Sequence, residues 1–104
     1  MYVKDFCEGV HKVISKGKKH NIYNIGSKFE YKNIEVFKLV VKENNLKFNK
    51  FVKYVKDRPF NDYRYSLNFN KIMKLGWKPK TKIEDKVSEI NNWYKKNISR
   101  FKKR

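Results

Sequence analysis

Val3, Phe6, Cys7, Val10, Val13 and Ile14 recur at three- and four-residue steps, which predicts an amphipathic helix with a single apolar stripe facing a core. That helix should stop near Gly17, because glycine takes the left-handed C-terminal conformation cheaply and Lys16, Lys18 and Lys19 suit the negative end of the helix dipole. Asn21 to Ile25 alternates among β-formers and reads as a strand ending at Gly26-Ser27. Asn33 then caps a second helix with Ile34, Phe37, Val40 and Val41 inward, closing around Asn44-Asn45. Leu46 to Asn49 links it to a central strand holding Phe51, Tyr54 and Val55. Pro59 ends that strand, since it has no N–H to give a ladder. Tyr63 to Leu67 is a further extended piece, and Asn68 caps a helix carrying Phe69, Ile72, Met73 and Leu75 that Gly76 closes, with Trp77 packing back on it. Thr81 and Glu84 have the spacing of a capping box for a last helix. Its stripe is Ile83, Val87, Ile90, Tyr94 and Ile98, and it frays past Arg100. The fold class is α+β, with about four helices and two or three short strands.

At 104 residues the chain has room for one small domain, and a hydrophobic content of 39% with 16% aromatic residues excludes intrinsic disorder. The formal charge of +17 raises the question of a nucleic-acid partner. Lysine is spread over every segment beside Asn, Ile, Tyr and Phe, with no alanine anywhere, so drift in composition explains the charge better than a selected polyanion-binding face. Residues 100–104 form a basic tail. The single cysteine, Cys7, forms no internal disulfide and suits the cytoplasm. Cys7 and His11 stand at ligand spacing, but His20 is the only other soft donor, so Cys7 reads as core filling and no metal is expected. The longest apolar run, Val36 to Val41, contains Lys38 and is too short to span a bilayer.

Chemistry concentrates after the central strand. Arg58 sits at a strand end beside a turn, where a guanidinium can hold two phosphate or carboxylate oxygens at once. The stretch DRPFNDYRYSLNFNKIMKLGWKPKTKIED resembles the C-terminal signature of extended short-chain dehydrogenases that act on nucleotide sugars, and among them the 4,6-dehydratases. That signature is Asp-Arg-Pro-Gly-His-Asp, then Arg-Tyr, a Lys-rich helix and Leu-Gly-Trp-x-Pro. Phe60 and Asn61 in place of the Gly and His are similar to the UDP-glucose 4,6-dehydratases of rhamnose synthesis. Tyr2 to Phe6 with Glu8-Gly9, and Ile22 to Ser27, extend the resemblance to roughly residues 2–97.

The resemblance implies a single lobe over residues 1–99, the helix-rich substrate-binding part of the NAD-dependent epimerase/dehydratase fold, lacking the Rossmann domain, whose counterpart would precede Met1. It also implies that Arg58 contacts the phosphates of UDP- or dTDP-glucose, with Asn61 close by and Asp62 and Tyr65 lining the same pocket. Arg64 reads as structural, turned toward neighbouring carboxylates. The family uses NAD, yet Gly9, Gly17, Gly26 and Gly76 are too far apart for a phosphate-cradling loop, so no cofactor is expected in this chain. No tyrosine has a lysine four residues on, which removes the family's Tyr-x-x-x-Lys base. Asp57 and Asp62 flank the loop, but carboxylates there more often hold turn geometry or pair with Arg58 and Arg64 than catalyse. The expectation is a truncated dehydratase without activity of its own that binds the nucleotide sugar weakly. Rival readings are a module completing a separate Rossmann-type chain through the edge at Ile22 to Ile25, and a small basic nucleic-acid binder.

Overall fold

The computed structural model describes residues 1–62 and 64–102. Its α-helices are α1 (Val3–Lys16), α2 (Asn33–Glu43), α3 (Asn70–Met73) and α4 (Val87–Lys96), with 3-10 turns at Phe48–Lys50 and Ile98–Phe101. The chain divides into two compact units, one formed by Met1–Glu30 with Val55–Lys82 and the other by Tyr31–Tyr54 with Ile83–Arg104.

In the first unit, α1 turns Asp5 and Gly9 inward, although its apolar residues lie elsewhere on the helix. Gly9 lets α1 approach closely, since a Cβ there would stand 3.0 Å from Ile25 Cγ2 and 3.1 Å from Trp77 Cε2, tight enough that these side chains would have to give way. Trp77 is buried in the same place, with its indole Nε1–H donating to the Asp5 carbonyl oxygen at 3.0 Å. The residue predicted to pack back on the preceding helix is therefore pinned to α1. The apolar stripe expected to face the core faces solvent instead: Val3 is 64% exposed and Ile14 79%, with Phe6, Cys7 and Val10 also exposed. Cys7 is accordingly not core filling. Gly17 ends α1 with φ −70°, not in the left-handed region, and its N–H donates to Val13 O at 2.8 Å. A side chain on Gly17 would collide with that same carbonyl oxygen.

The helix expected from Asn68 to Leu75 is a shorter α3. The N-cap of α3 is Phe69 and not the expected Asn68, which stands one residue earlier and whose Oδ1 accepts from the Asn70 N–H at 3.0 Å, while Leu75 and Gly76 close by tighter bonds to Ile72 and Met73. Gly76, at φ +83°, turns the chain as glycine can. Ile72 from α3 is fully buried.

In the second unit, α2 starts where the Glu35 carboxylate accepts the Lys32 N–H at 2.7 Å, one residue before the predicted Asn33 cap. It ends in a left-handed Asn45 (φ +53°), with Leu46 N–H donating to Val41 O and Asn45 N–H to Lys42 O, the paired bonds of a Schellman motif. Helices α2 and α4 are joined by reciprocal 3.1 Å amide bonds between Asn44 and Asn91. Phe37 meets Phe48 edge-on at 5.9 Å, while Trp93 and Tyr94 of α4 and Phe101 after it form an exposed aromatic group.

Two expectations need correction. The capping box at Thr81 and Glu84 does not form, because Thr81 is engaged by Asp5 and Glu84 accepts the Tyr31 hydroxyl at 2.6 Å; α4 begins only at Val87. The two or three strands are also absent among the described residues. Residues 21–25 and 52–56 lie outside any helix, but a strand exists only by pairing, and no described segment supplies a ladder. In the piece expected at 63–67, Tyr63 lies outside the described residues. No described helix is long and apolar enough to cross a membrane.

Candidate functional site

The residues marked by sequence lie together in the turn after residue 56, within the first unit. Asp57 organises it. Its Oδ1 accepts the Arg58 backbone N–H at 2.7 Å and the Asn61 side-chain amide at 3.3 Å, so this carboxylate holds turn geometry. Asn61 Oδ1 in turn accepts from Arg58 Nη2 at 2.7 Å. Arg58 is thus steered by a neutral partner that orients the guanidinium while leaving its charge available. Phe60, between them, is 93% exposed.

Asp62 and Tyr65 form a second pair. The Asp62 carboxylate accepts the Tyr65 hydroxyl, and this bond raises the Tyr65 phenol above its ordinary range. All four predicted residues are exposed; Arg58 bonds Asn61, and Asp62 bonds Tyr65. Arg64 is a fork against Glu30, with Nε and Nη2 each 2.8 Å from a different carboxylate oxygen, and the Ser66 hydroxyl donates to Oε1 at 3.2 Å. The Arg64 bond lowers the Glu30 carboxyl and raises the guanidinium in turn. Arg64 therefore fastens the loop to Glu30, the structural part read from its position.

Sequence reasoning missed the anchor of this unit. Asp5 is 4% exposed and accepts three bonds of 2.9 Å, from the Lys80 N–H and Thr81 N–H at Oδ2 and from the Thr81 hydroxyl at Oδ1. Burial opposes the charge, but the Thr81 and Lys80 donors and the Lys80 ammonium together outweigh it and hold the carboxyl below its ordinary value. Lys80 Nζ is itself 2.9 Å from Glu8. The signals in the sequence were an acid in the first turn of a helix and its place in the Tyr2 to Phe6 stretch that carries part of the family resemblance. A cleft of about 470 Å³ borders this anchor, lined by Cys7, Glu8, His11 and Lys12 from α1 and by Gly76 to Lys78 and Lys80. Among the described residues no three His, Cys, Asp or Glu side chains converge as metal ligands would.

Gly9 and Gly26 pack closely against Ile25, Trp77, Phe69 and Leu67, Gly17 lies against Val13, and Gly76 follows α3.

No protein-family model matches the chain. The mouse dTDP-D-glucose 4,6-dehydratase is 38% identical over 107 residues, spanning 98% of this chain and 30% of the mouse protein. A trifunctional UDP-glucose 4,6-dehydratase/UDP-4-keto-6-deoxy-D-glucose 3,5-epimerase/UDP-4-keto-L-rhamnose-reductase of Arabidopsis thaliana is 37% identical over 97 residues, 93% of this chain and 14% of that protein. Among solved structures, the dTDP-glucose 4,6-dehydratase of Bacillus anthracis in complex with NAD matches with a TM-score of 0.81 at 33% identity, over 93% of this chain and 30% of that one. The fold is therefore a portion of the epimerase/dehydratase fold. The chain belongs to the dTDP-glucose/UDP-glucose 4,6-dehydratases and spans about 30% of the length of their dTDP-glucose members.

Proposed function

We propose that the chain is the nucleotide-sugar recognition lobe of a 4,6-dehydratase, in which Arg58 grips the phosphates of UDP- or dTDP-glucose and Asn61, Asp62 and Tyr65 complete the same surface. Residues 1–99 make up the lobe and residues 100–104 a basic tail. One observation carries this reading: the Asp57–Asn61 network holds the Arg58 guanidinium in a defined place while leaving it exposed, inside the stretch where the sequence resembles the family signature. A planar fork presented this way suits paired phosphate oxygens.

Dehydration by the whole enzyme needs a redox cofactor and a proton-transferring tyrosine. With no Tyr-x-x-x-Lys and no phosphate-cradling loop, the lobe turns over no sugar by itself; NAD is held by the part of the enzyme outside these residues, whether in the same or a separate Rossmann-type chain. The single free thiol suits work in the cytoplasm.

Isothermal titration of the purified chain with UDP-glucose and with dTDP-glucose tests this. An exposed, half-built pocket should give a Kd on the order of 1 mM, about 4 kcal/mol of binding. Arg58→Ala should abolish the heat without changing the thermal midpoint. Absence of binding by either sugar, or retention of full affinity by Arg58→Ala, would defeat the assignment.

A further inference from the structure

The cleft beside the Asp5 anchor plays no part in the Arg58 assignment, and its walls carry an unbalanced charge. Glu8, His11 and Lys12 of α1 form one wall, and the chain leaving Gly76, with Trp77, Lys78 and Lys80, forms the other. All of these residues belong to the first unit. The two walls are fixed to each other, because the Trp77 indole N–H donates to the Asp5 carbonyl and the Asp5 carboxylate accepts the backbone N–H groups of Lys80 and Thr81. Small-molecule sites are commonly pre-formed in this way.

Glu8 is the single acid among the lining residues, and Lys80 Nζ already engages it at 2.9 Å. Among the described residues, neither Lys12 nor Lys78 pairs with a carboxylate. Their neighbours in sequence supply none, since residues 9–29 and 64–83 contain no Asp or Glu. Lys12 is also half-buried. Two ammonium groups and an imidazole thus line one space with no protein carboxylate left to balance them, and an anion seated there relieves their mutual repulsion.

We infer that this cleft binds a small phosphate monoester, its terminal phosphate held by Lys12, Lys78 and His11 and its organic part lying against Trp77 and Gly76. A phosphate dianion offers three acceptor oxygens and about twice the charge of a carboxylate, which suits three donors of this kind. The cleft, at about 470 Å³, has room for an organic body as well as the phosphate. Nucleotide sugars are poor occupants, because their diphosphate is esterified at both ends and has no terminal dianion. The site is therefore separate from the loop at Arg58.

The test titrates glucose 6-phosphate, as a probe monoester, and inorganic phosphate into the Trp93→Phe chain at constant ionic strength, where Trp77 is the sole tryptophan. Fluorescence of Trp77 reports binding, and the rate at which the exposed Cys7 on the cleft wall reacts with a thiol reagent reports it a second time. Both signals should saturate together, with the ester binding several-fold more tightly than inorganic phosphate. Lys12→Ala and Lys78→Ala should each weaken binding about tenfold, the loss of one charged hydrogen bond. Glu8→Gln removes the only opposing charge and frees Lys80, so it should tighten binding by roughly twofold to fivefold. Arg58→Ala, and Lys95→Ala in the other unit, should change nothing. Four results would overturn the proposal: no saturable response to the ester, equal affinity for inorganic phosphate, weaker binding by Glu8→Gln, or a loss with Lys95→Ala as large as with Lys12→Ala, which would assign the effect to the diffuse charge of +17. Arg58→Ala decides the nucleotide-sugar assignment and Lys12→Ala decides this one, so each can fail while the other stands.

Discussion

Replacing Asp5 should do more damage to the first unit than any surface change. Its carboxylate accepts two backbone N–H groups and one hydroxyl in a site only 4% exposed. Asp5→Ala strands the Lys80 and Thr81 N–H groups, and each orphaned buried donor costs about 1–3 kcal/mol, so a loss of roughly 3–5 kcal/mol follows. Domains of this size are stable by only about 5–15 kcal/mol, which makes that a large share of the whole. The thermal midpoint should fall by roughly 15–30 °C. Asp5→Asn keeps one acceptor oxygen and should lose about 1–2 kcal/mol.

The pH dependence separates the charge from the packing. The folded-state pKa of Asp5 is lowered, so its contribution is fully present above the ordinary carboxylate range and is lost as pH falls through the folded value. Urea denaturation followed by the fluorescence of the buried Trp77, at pH 7 and down an acid series, measures the difference between parent and Asp5→Asn. That difference should be constant near neutrality and shrink toward zero in acid. A midpoint for Asp5→Ala within about 0.5 kcal/mol of the parent, or a difference that ignores pH, would refute the anchoring role.

Other consequences are smaller. Gly9→Ala gains helix propensity but forces a methyl against Ile25 and Trp77, so circular dichroism melts should show a net loss of about 1–2 kcal/mol. The Arg64–Glu30 pair is exposed, so a double-mutant cycle should give a small coupling that disappears in high salt; one that survives salt would mean the pair is shielded. The Tyr31 phenol is raised by its bond to Glu84, so that contribution holds below the ordinary tyrosine pKa and is lost as pH rises through the folded value. Tyr31→Phe should therefore remove one late-titrating phenol from an ultraviolet titration.

Helices were legible wherever local chemistry decides them. The periodicity from Val3 to Ile14 gives α1, and Asn45 and Gly76 mark stops that need a left-handed residue. What failed depended on partners distant in sequence. The pattern of α1 shows that an apolar face exists but not which neighbour covers it, and here the unit buries the other side. Thr81 and Glu84 have capping-box spacing, yet Asp5 and Tyr31 compete for them from far along the chain and win. The strands were misread for the same reason, since residues 21–25 have strand composition without a ladder among the described residues. At the candidate site the motif marked the residues, and the structure added their pairing, Arg58 with Asn61 and Asp62 with Tyr65.

The most direct measurement is a two-dimensional amide spectrum of the isotope-labelled chain during titration with dTDP-glucose and UDP-glucose. A recognition lobe predicts saturable shifts that begin in residues 57–65, with the Arg58 and Asn61 signals moving furthest and α1 unaffected. Shifts confined to any other part of the chain, or none with either sugar, would contradict it.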